Sequence, residues 1–350
     1  MCADWSHVRS EWCCTHGYRH RQDAVGAGHA VGVVIGVLQV GAPSSRTGKA
    51  SSKRRRANRR SWSVVAAKSA EAHSRIRFGM DKEQALISWL RERGRIAIGY
   101  SGGVDSAYLA TVAVATLGAE NVLAVIGRSA SYPESQWRAA RDVANQIGLS
   151  VLEIDTDELN DPRYAANPTN RCYFCKTELW SRVAPVARAR GFDIVADGTN
   201  ADDLGDYRPG AQAAKEHGIR SPLADLGFSK ADIRSFSRAR GLPTWQQPSS
   251  PCLSSRLPYG TPVTVGRLRR VEQAESALRD LGITGDLRVR HFGERARVEL
   301  GADDLARWSS DDARARIVGA VCSAGYDEVE IDPRGFRSGA LNELTQLTRG

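Results

Sequence analysis

Methionine is scarce in this chain: 350 residues carry two, Met1 and Met80. Long apolar runs are missing too. The longest, Ala30 to Val40, is too short and too rich in glycine to span a bilayer, which argues against a membrane-spanning chain. Histidine is unevenly spread. His7, His16, His20, His29 and His73 precede Met80, and only His217 and His291 follow it. A mixed Cys/His zinc site downstream of Met80 therefore has few candidate ligands. What is present suits a globular protein: 41% hydrophobic and 25% charged residues, on a chain long enough for two domains with cores of their own. Disordered and collagen-like classes are excluded on the same grounds.

The formal net charge of +9 invites a nucleic-acid reading. Its distribution removes that reading. Residues 1–79 hold 14 of the 49 Lys and Arg but 4 of the 40 Asp and Glu, a net of +10, which leaves residues 80–350 at −1. The excess includes the run Lys53-Arg54-Arg55-Arg56 with Arg59-Arg60. Poor amphipathic periodicity and frequent Gly and Ser make disorder the expectation for 1–79. A secretory signal would carry its charge before the apolar stretch, not after it. Arg59-Arg60 lacks the apolar region of a twin-arginine signal. Cys13, Cys14, His16 and His20 match no closed zinc pattern. The simplest expectation is that the natural chain starts at or near Met80 and that 1–79 is an over-extended reading frame.

Downstream of Met80 the pattern alternates. A helix is expected over 81–93, then a buried strand at Arg95–Tyr100, a turn Ser101–Ser106 and a helix Val104–Leu117. Strand Val122–Ile126, helix Glu134–Ile147, strand Ser150–Ile154, helix Cys172–Arg190 and strand Asp193–Ala196 follow. Such alternation predicts an α/β fold with a parallel sheet covered on both faces, whose ligands bind at the carboxyl ends of the strands.

Two loops fall at such ends. Ser101-Gly102-Gly103-Val104-Asp105-Ser106 follows the first strand. Its glycines allow close backbone approach, and its N–H groups, hydroxyls and helix N-terminus favour an anion. No Gly-Lys-Ser/Thr follows, so it is not a Walker A loop. It resembles the PP-loop of ATP pyrophosphatases, which cut ATP to AMP and pyrophosphate and so adenylate a substrate. The second loop, Asp197-Gly198-Thr199-Asn200-Ala201-Asp202-Asp203 with Asp206 and Arg208, follows the fourth strand. Its carboxylates Asp202 and Asp203, with Asp105, are candidates to hold Mg²⁺ beside ATP phosphates. The alternative is a polar loop in which Asp202 or Asp203 caps the next helix.

Four cysteines lie downstream of Met80. Cys172 and Cys175 stand at a helix start, and their i,i+3 spacing puts both thiols on one face. Cys252 lies in Ser-Ser-Pro-Cys-Leu-Ser-Ser-Arg, inside a segment, 243–262, that holds five of the 13 prolines and reads as a connection. Cys322 reads as a core residue. Three thiolates without a fourth ligand suit a 4Fe-4S cluster with one iron open to an exogenous ligand such as sulfide. A redox pair, half a zinc site, a disulfide and inert buried cysteines are the alternatives.

Beyond residue 262 a helix Val265–Leu281, a hairpin Leu287–Phe292/Arg295–Leu300, helices Asp303–Ser309 and Asp311–Ala324 and a strand Glu328–Ile331 predict a smaller α+β domain. Alternation in the hairpin puts Arg288, Arg290, Arg295 and Arg297 on one sheet face. That face either grips phosphate and carboxylate groups or is simply solvated.

Taken together, SGGVDS, NPTNRCYFCK (167–176), DGTNADDLGDYRPG (197–210) and PSSPCLSSRLPYG (248–260) resemble the LarE family, from about Met80 to near the C-terminus. Those are ATP-dependent sulfur transferases of nickel-pincer nucleotide cofactor biosynthesis. The resemblance implies an adenine nucleotide α-hydrolase-like domain over 80–242, the connection 243–262, and a substrate-binding or oligomerisation domain over 263–350. It implies MgATP-dependent adenylation of a carboxylate of a pyridinium-3,5-biscarboxylic acid mononucleotide, then displacement of AMP by sulfur. It implies ATP contacts from Ser101, Gly102, Gly103, Val104, Asp105, Ser106, Gly198, Thr199 and Asn200, and substrate contacts from Arg208, Arg256, Arg288 and Arg290. The family has a version in which one cysteine gives up its own sulfur and a version in which three hold an iron–sulfur cluster. Cys172, Cys175 and Cys252 match the cluster version, and Cys252 also matches the sacrificial position. A homo-oligomer, a cytoplasmic setting, contact with other cofactor-biosynthesis enzymes and no nucleic-acid or membrane partner are expected. The rivals are a PP-loop tRNA thiolase, which needs a basic surface that the near-neutral body lacks, an ammonia-using synthetase and a nucleotide-sensing module.

Overall fold

A computed structural model describes residues 81–205, 209–248 and 250–337. The basic N-terminal segment, the proposed Met80 start and Arg208 lie outside the described residues.

The first sheet has four strands: β1 (Ile96–Gly99), β2 (Val122–Arg128), β3 (Ser150–Asp155) and β4 (Ile194–Ala196). All pair in parallel, in the order β3-β2-β1-β4. The near-continuous apolar runs of β1 and β2 reflect burial on both faces. Ile96 and Ile98 enter a core with Leu86, Leu90, Val112 and Phe228. Ala97, Leu123 and Val125 face the other way, against Trp180, Val183 and Phe192. The covering helices are α1 (81–91), α2 (Val104–Leu117), α3 (Glu134–Gln146), α4 (Pro162–Ala165), α5 (Arg171–Ala189), α6 (Pro209–Glu216), α7 (Pro222–Asp225) and α8 (Lys230–Ala239). The predicted α/β architecture is the observed one, with element ends moved by one or two residues where helices fray.

Strand order places the site. After β1 the chain moves one way to β2 and β3, and β4 then adds on the opposite side of β1. The crevice at the carboxyl ends of β1 and β4 is therefore the topological switch point, where ligands bind in open α/β sheets.

A smaller mixed sheet follows the proline-rich segment. β5 (Leu287–Phe292) pairs antiparallel with β6 (Arg295–Leu300), and β7 (Glu328–Ile331) adds parallel to β6. Helices α9 (Val265–Asp280), α10 (Ala302–Arg307) and α11 (Asp311–Cys322) complete it. Leu278, Leu287, Val289, Val298, Leu300, Ile317 and Val321 form its core. Thr264 and Ser310 accept hydrogen bonds from the backbone of the first turns of α9 and α11, which starts both helices where the sequence puts a hydroxyl. Cys322 ends α11 and is only partly buried, so the core position expected for it is corrected.

Candidate active site

Ser101–Ser106 leaves β1 and turns into α2. Two features shape the turn. Gly102 has φ +66°, and a Cβ there would lie 2.4 Å from that of Ala140, so glycine alone fits between the loop and α3. The two serines then cross-brace it. Ser106 Oγ accepts from the Ser101 amide at 3.2 Å, lies 3.2 Å from Ser101 Oγ, and donates to the Gly103 carbonyl. Tyr132 and Gln136 hold the Ser101 carbonyl from outside, at 3.0 and 3.2 Å. No side chain among the described residues caps α2, so its first amides keep their positive end for a ligand.

The loop after β4 folds onto the same helix start. A Cβ on Gly198 would lie 2.9 Å from the Ser106 amide nitrogen. Asp197 stiffens this loop, accepting from the amide and hydroxyl of Thr199 and from Ser221. Asp202 Oδ2 accepts from the Lys230 amide at 2.8 Å, and Asp203 Oδ2 from the Asn200 amide at 3.1 Å. The carboxylates thus bind neighbouring loop amides.

Lys230 joins the two loops. From the first position of α8 its ammonium meets Asp105 Oδ2 at 2.5 Å, while its amide is held by Asp202. Asp105 Oδ1 is buried with no hydrogen-bond partner among the described residues. Burial raises the Asp105 pKa and Asp203 adds to that push, against the lowering by Lys230. An orphaned carboxylate oxygen beside a second carboxylate fits Mg²⁺, which typically uses one or two carboxylates together with substrate phosphates. Among the described residues no three His, Cys, Asp or Glu side chains gather closely enough to hold a metal ion alone.

The three cysteines expected in the site lie in a second cluster. Cys172 and Cys175 occupy the first turn of α5, and Cys252 precedes the short 3₁₀ turn Leu253–Arg256. Local chemistry brings them together. Asn167 is fully buried at φ 56°, and its Nδ2 donates to the carbonyls of Pro258 and Thr261 at 2.7 and 2.9 Å. Its Oδ1 accepts from Arg171, whose Nη1 also donates to the Ser254 carbonyl at 2.9 Å. The Tyr164 hydroxyl lies 2.7 Å from Ser254 Oγ, and the Leu253 amide donates to Ser131. The segment bearing Cys252 is thereby strapped to the start of α5.

The thiols are free and within electrostatic reach of one another. Cys172 is itself exposed, but the protein packed around its sulfur pushes the thiol pKa up, and Cys252 adds to this while Arg171 opposes it. Burial pushes Cys175 up further, with Glu158 next in effect. Burial works against the charge of Arg171, yet the Cys252 and Cys172 sulfurs raise its pKa overall. Glu158 is buried; its Oε1 accepts from Ser131 at 2.9 Å and its Oε2 has no partner among the described residues.

The expected arginine face exists in register: Arg290 opposes Arg297, and Arg288 opposes Glu299. Only its β6 half meets solvent, with Arg295 exposed and Arg297 partly so; the β5 half is buried. Arg290 is buried, with Nε and Nη2 on Glu299 Oε2 at 3.0 and 2.8 Å and Nη1 on the Ser255 carbonyl at 2.9 Å. Arg256 is likewise engaged by Glu275. Arg288 lies buried near Arg256 and Arg290; burial and the Arg256 charge lower its pKa to about 10.

Comparison with known proteins now bears on the site. The NAD synthase family model matches residues 85–183, which include the loop after β1. An uncharacterised protein of Synechocystis sp. is 44% identical over 263 residues, 75% of this chain and 97% of its own. The pyridinium-3,5-bisthiocarboxylic acid mononucleotide synthase of Lactiplantibacillus plantarum is 33% identical over 262 residues, 75% of this chain and 94% of its own. The chain belongs to the LarE family. The NH(3)-dependent NAD(+) synthetase of Methanococcoides burtonii is similar over a shorter stretch, 38% identical over 71 residues, 20% of this chain and 27% of its own. The four-stranded parallel sheet with its loop after β1 is the PP-loop domain of this LarE family member, and it is an ATP-using domain. No helix among the described residues is long and apolar enough to cross a membrane.

Sequence reasoning missed Lys230, Glu275, Glu299 and the strap residues Tyr164, Asn167 and Arg171 as parts of the candidate site. Asn167 and Arg171 stand within the motif that carries the resemblance. Lys230 had one local signal, its place after Ser229 in a capping box with Asp232.

Proposed function

We propose that this enzyme adenylates a carboxylate of a pyridinium-3,5-biscarboxylic acid mononucleotide with MgATP, releases pyrophosphate, and replaces AMP with sulfur to give a thiocarboxylate. The observation that carries this reading is the pairing of an uncapped, serine-braced PP-loop with three neighbouring free thiols, in a chain similar along most of its length to a synthase of that name. A carboxylate is a poor electrophile until adenylation gives it a leaving group, and sulfur is then a strong nucleophile near neutral pH.

Each group has a task. The amides of Gly103 to Ser106 and the Ser101 and Ser106 hydroxyls receive the ATP phosphates. Gly198, Thr199 and Asn200 wall the nucleotide beside them. Asp105, with Asp202 and Asp203 near it, would hold Mg²⁺, which neutralises the departing pyrophosphate. Arg288, buried near Arg256, and Arg208 are the candidates to meet substrate anions. Arg256 and Arg290, already paired to carboxylates, act through the segment they hold.

Cys172, Cys175 and Cys252 would hold a 4Fe-4S cluster. The donor set fits in kind: three free thiols share one neighbourhood but are not gathered around a single ion, and a cluster spreads its ligands over several irons. When bound, such a cluster would supply an open iron able to carry a labile sulfide. A cytoplasmic, reducing setting is part of the proposal, because free thiols and a cluster need one. A homo-oligomer remains part of the proposal.

The deciding experiment incubates anaerobically purified protein, with iron and sulfide restored, with MgATP and the mononucleotide. Thiocarboxylate by mass, with stoichiometric AMP and pyrophosphate, is expected. Thiolation of tRNA without thiocarboxylate would reject the reading. A single turnover that leaves Cys252 lighter by H₂S would move the sulfur source from the cluster to Cys252 itself.

A further inference from the structure

The pair Arg256–Glu275 has an unusually complete geometry. Arg256 is 2% exposed. Its Nε and Nη2 donate to the two oxygens of Glu275, each at 2.9 Å, in a fork-on-fork arrangement. Its Nη1 turns the other way, to the carbonyls of Pro251 at 2.5 Å and Cys252 at 3.1 Å. Glu275 is itself fixed, because its Oε1 also accepts from the Val289 amide at 3.0 Å. The guanidinium is thus a rigid link between the peptide that carries Cys252 and two elements of the small-sheet part, α9 and β5.

The Cys252 peptide needs such a link. The described residues from Gln247 to Cys252 form neither helix nor strand. The strap to α5 grips downstream of the cysteine, at Ser254, Pro258 and Thr261. Arg256 grips the cysteine's own carbonyl and the one before it. The same face of α9 also reaches the nucleotide side. Glu272, three residues before Glu275, accepts from the Glu134 amide at 2.7 Å, at the start of α3. Tyr132 and Gln136, on either side of Glu134, hold the carbonyl of Ser101.

We propose that Glu275 and Arg256 are positioning residues for sulfur transfer: through Arg256, helix α9 sets where Cys252 stands relative to the acyl group activated at the PP-loop. This rests on the reading of Cys252 as a residue of the thiolation site. It also explains why a buried arginine so near the cysteine is no free grip for substrate. Losing the Glu275 charge leaves a buried guanidinium uncompensated. It must then shift, and it releases the Cys252 carbonyl as it does so.

The test uses the full chain without iron and reads iodoacetamide labelling of each cysteine by mass spectrometry. In Glu275→Gln the labelling rate at Cys252 should change at least fivefold, while Cys172 stays within twofold and ATP affinity within twofold. With restored iron and sulfide, kcat for thiocarboxylate should fall at least tenfold with KM for ATP unmoved. Arg256→Lys keeps the buried charge but loses the fork. It should shift Cys252 in the same sense by a smaller factor, and it serves as the readout if Glu275→Gln does not fold. Unchanged Cys252 labelling in a folded variant overturns the proposal. If the wild type makes no thiocarboxylate, the functional reading fails, and the labelling comparison still decides the positioning.

Discussion

Arg171 donates a hydrogen bond to the carbonyl of Ser254 at 2.9 Å, joining the residue before Cys172 to the residue two beyond Cys252. The same guanidinium is held by Asn167, so the cysteines depend on one buried amide. Asn167→Ala removes two donated bonds and the one accepted from Arg171, each worth about 1 kcal/mol net. It also puts a β-carbon without a compensating amide at φ 56°, at a further cost of about 1 kcal/mol. A loss of about 4 kcal/mol is expected by chemical denaturation. Asn167→Gly tolerates the backbone angle and should lose about a quarter less. Equal losses would show that the left-handed conformation carries no cost here.

Gly102→Ala tests the PP-loop's packing. The new Cβ would stand 2.4 Å from Ala140 Cβ at φ +66°, so α3 or the loop must shift. Overpacking costs about 1–3 kcal/mol, visible as a lower melting temperature. Either shift disturbs the loop, because Gln136 on α3 holds the Ser101 carbonyl, so affinity for ATP should fall at least tenfold. Gly103, whose Cβ would meet only Ser101 Oγ at 3.4 Å, should tolerate alanine with a much smaller change in melting temperature. A reversed order of the two effects would refute the assignment of tightness to Gly102.

The fold was legible because its signals are local. β1 and β2 announce themselves as apolar runs closed by turns, and α2 begins where the loop's glycines end. The hairpin Leu287–Leu300 has the residues expected for it. The place of the candidate site was legible for the same reason, since motif and strand end coincide at Ser101 and Asp197. The fate of the arginines was not. Nothing near Arg256 in sequence says that Glu275 will neutralise it from another helix, or that Arg290 will close on Glu299 across a strand pair. An arginine reads alike whether its partner is a substrate or a carboxylate brought in by tertiary packing.

Lys230 is expected to matter to ATP more than to AMP. Its ammonium rests on Asp105 Oδ2 at 2.5 Å, at the mouth of the PP-loop, where β- and γ-phosphates would add negative charge. A charge-assisted bond is worth about 1.5–3 kcal/mol, so Lys230→Met should weaken ATP by roughly 10- to 100-fold. AMP affinity should stay within threefold. Titration calorimetry with both nucleotides checks this, and an equal loss for both would move Lys230 away from the pyrophosphate end.

Two cysteines three residues apart should answer oppositely to two neutralising substitutions. Both thiols of the iron-free protein have pKa values raised above the ordinary one, by burial first. A raised thiol pKa means less thiolate at neutral pH. Alkylation of Cys172 and Cys175 should therefore be slow at pH 7 and climb about tenfold per pH unit, past the point near 8.5 where an ordinary cysteine levels off. The Glu158 carboxylate disfavours the Cys175 thiolate. Glu158→Gln removes that charge, lowers the thiol pKa and should speed Cys175 at a fixed pH. The Arg171 guanidinium favours the Cys172 thiolate. Arg171→Met removes that support, raises the pKa and should slow Cys172. General loosening of the site would speed both cysteines in both variants, so only electrostatics gives opposite signs. Site-resolved mass spectrometry over pH 6–10 reads both residues in one sample, and a common direction in the two variants would refute the charge arrangement around these thiols.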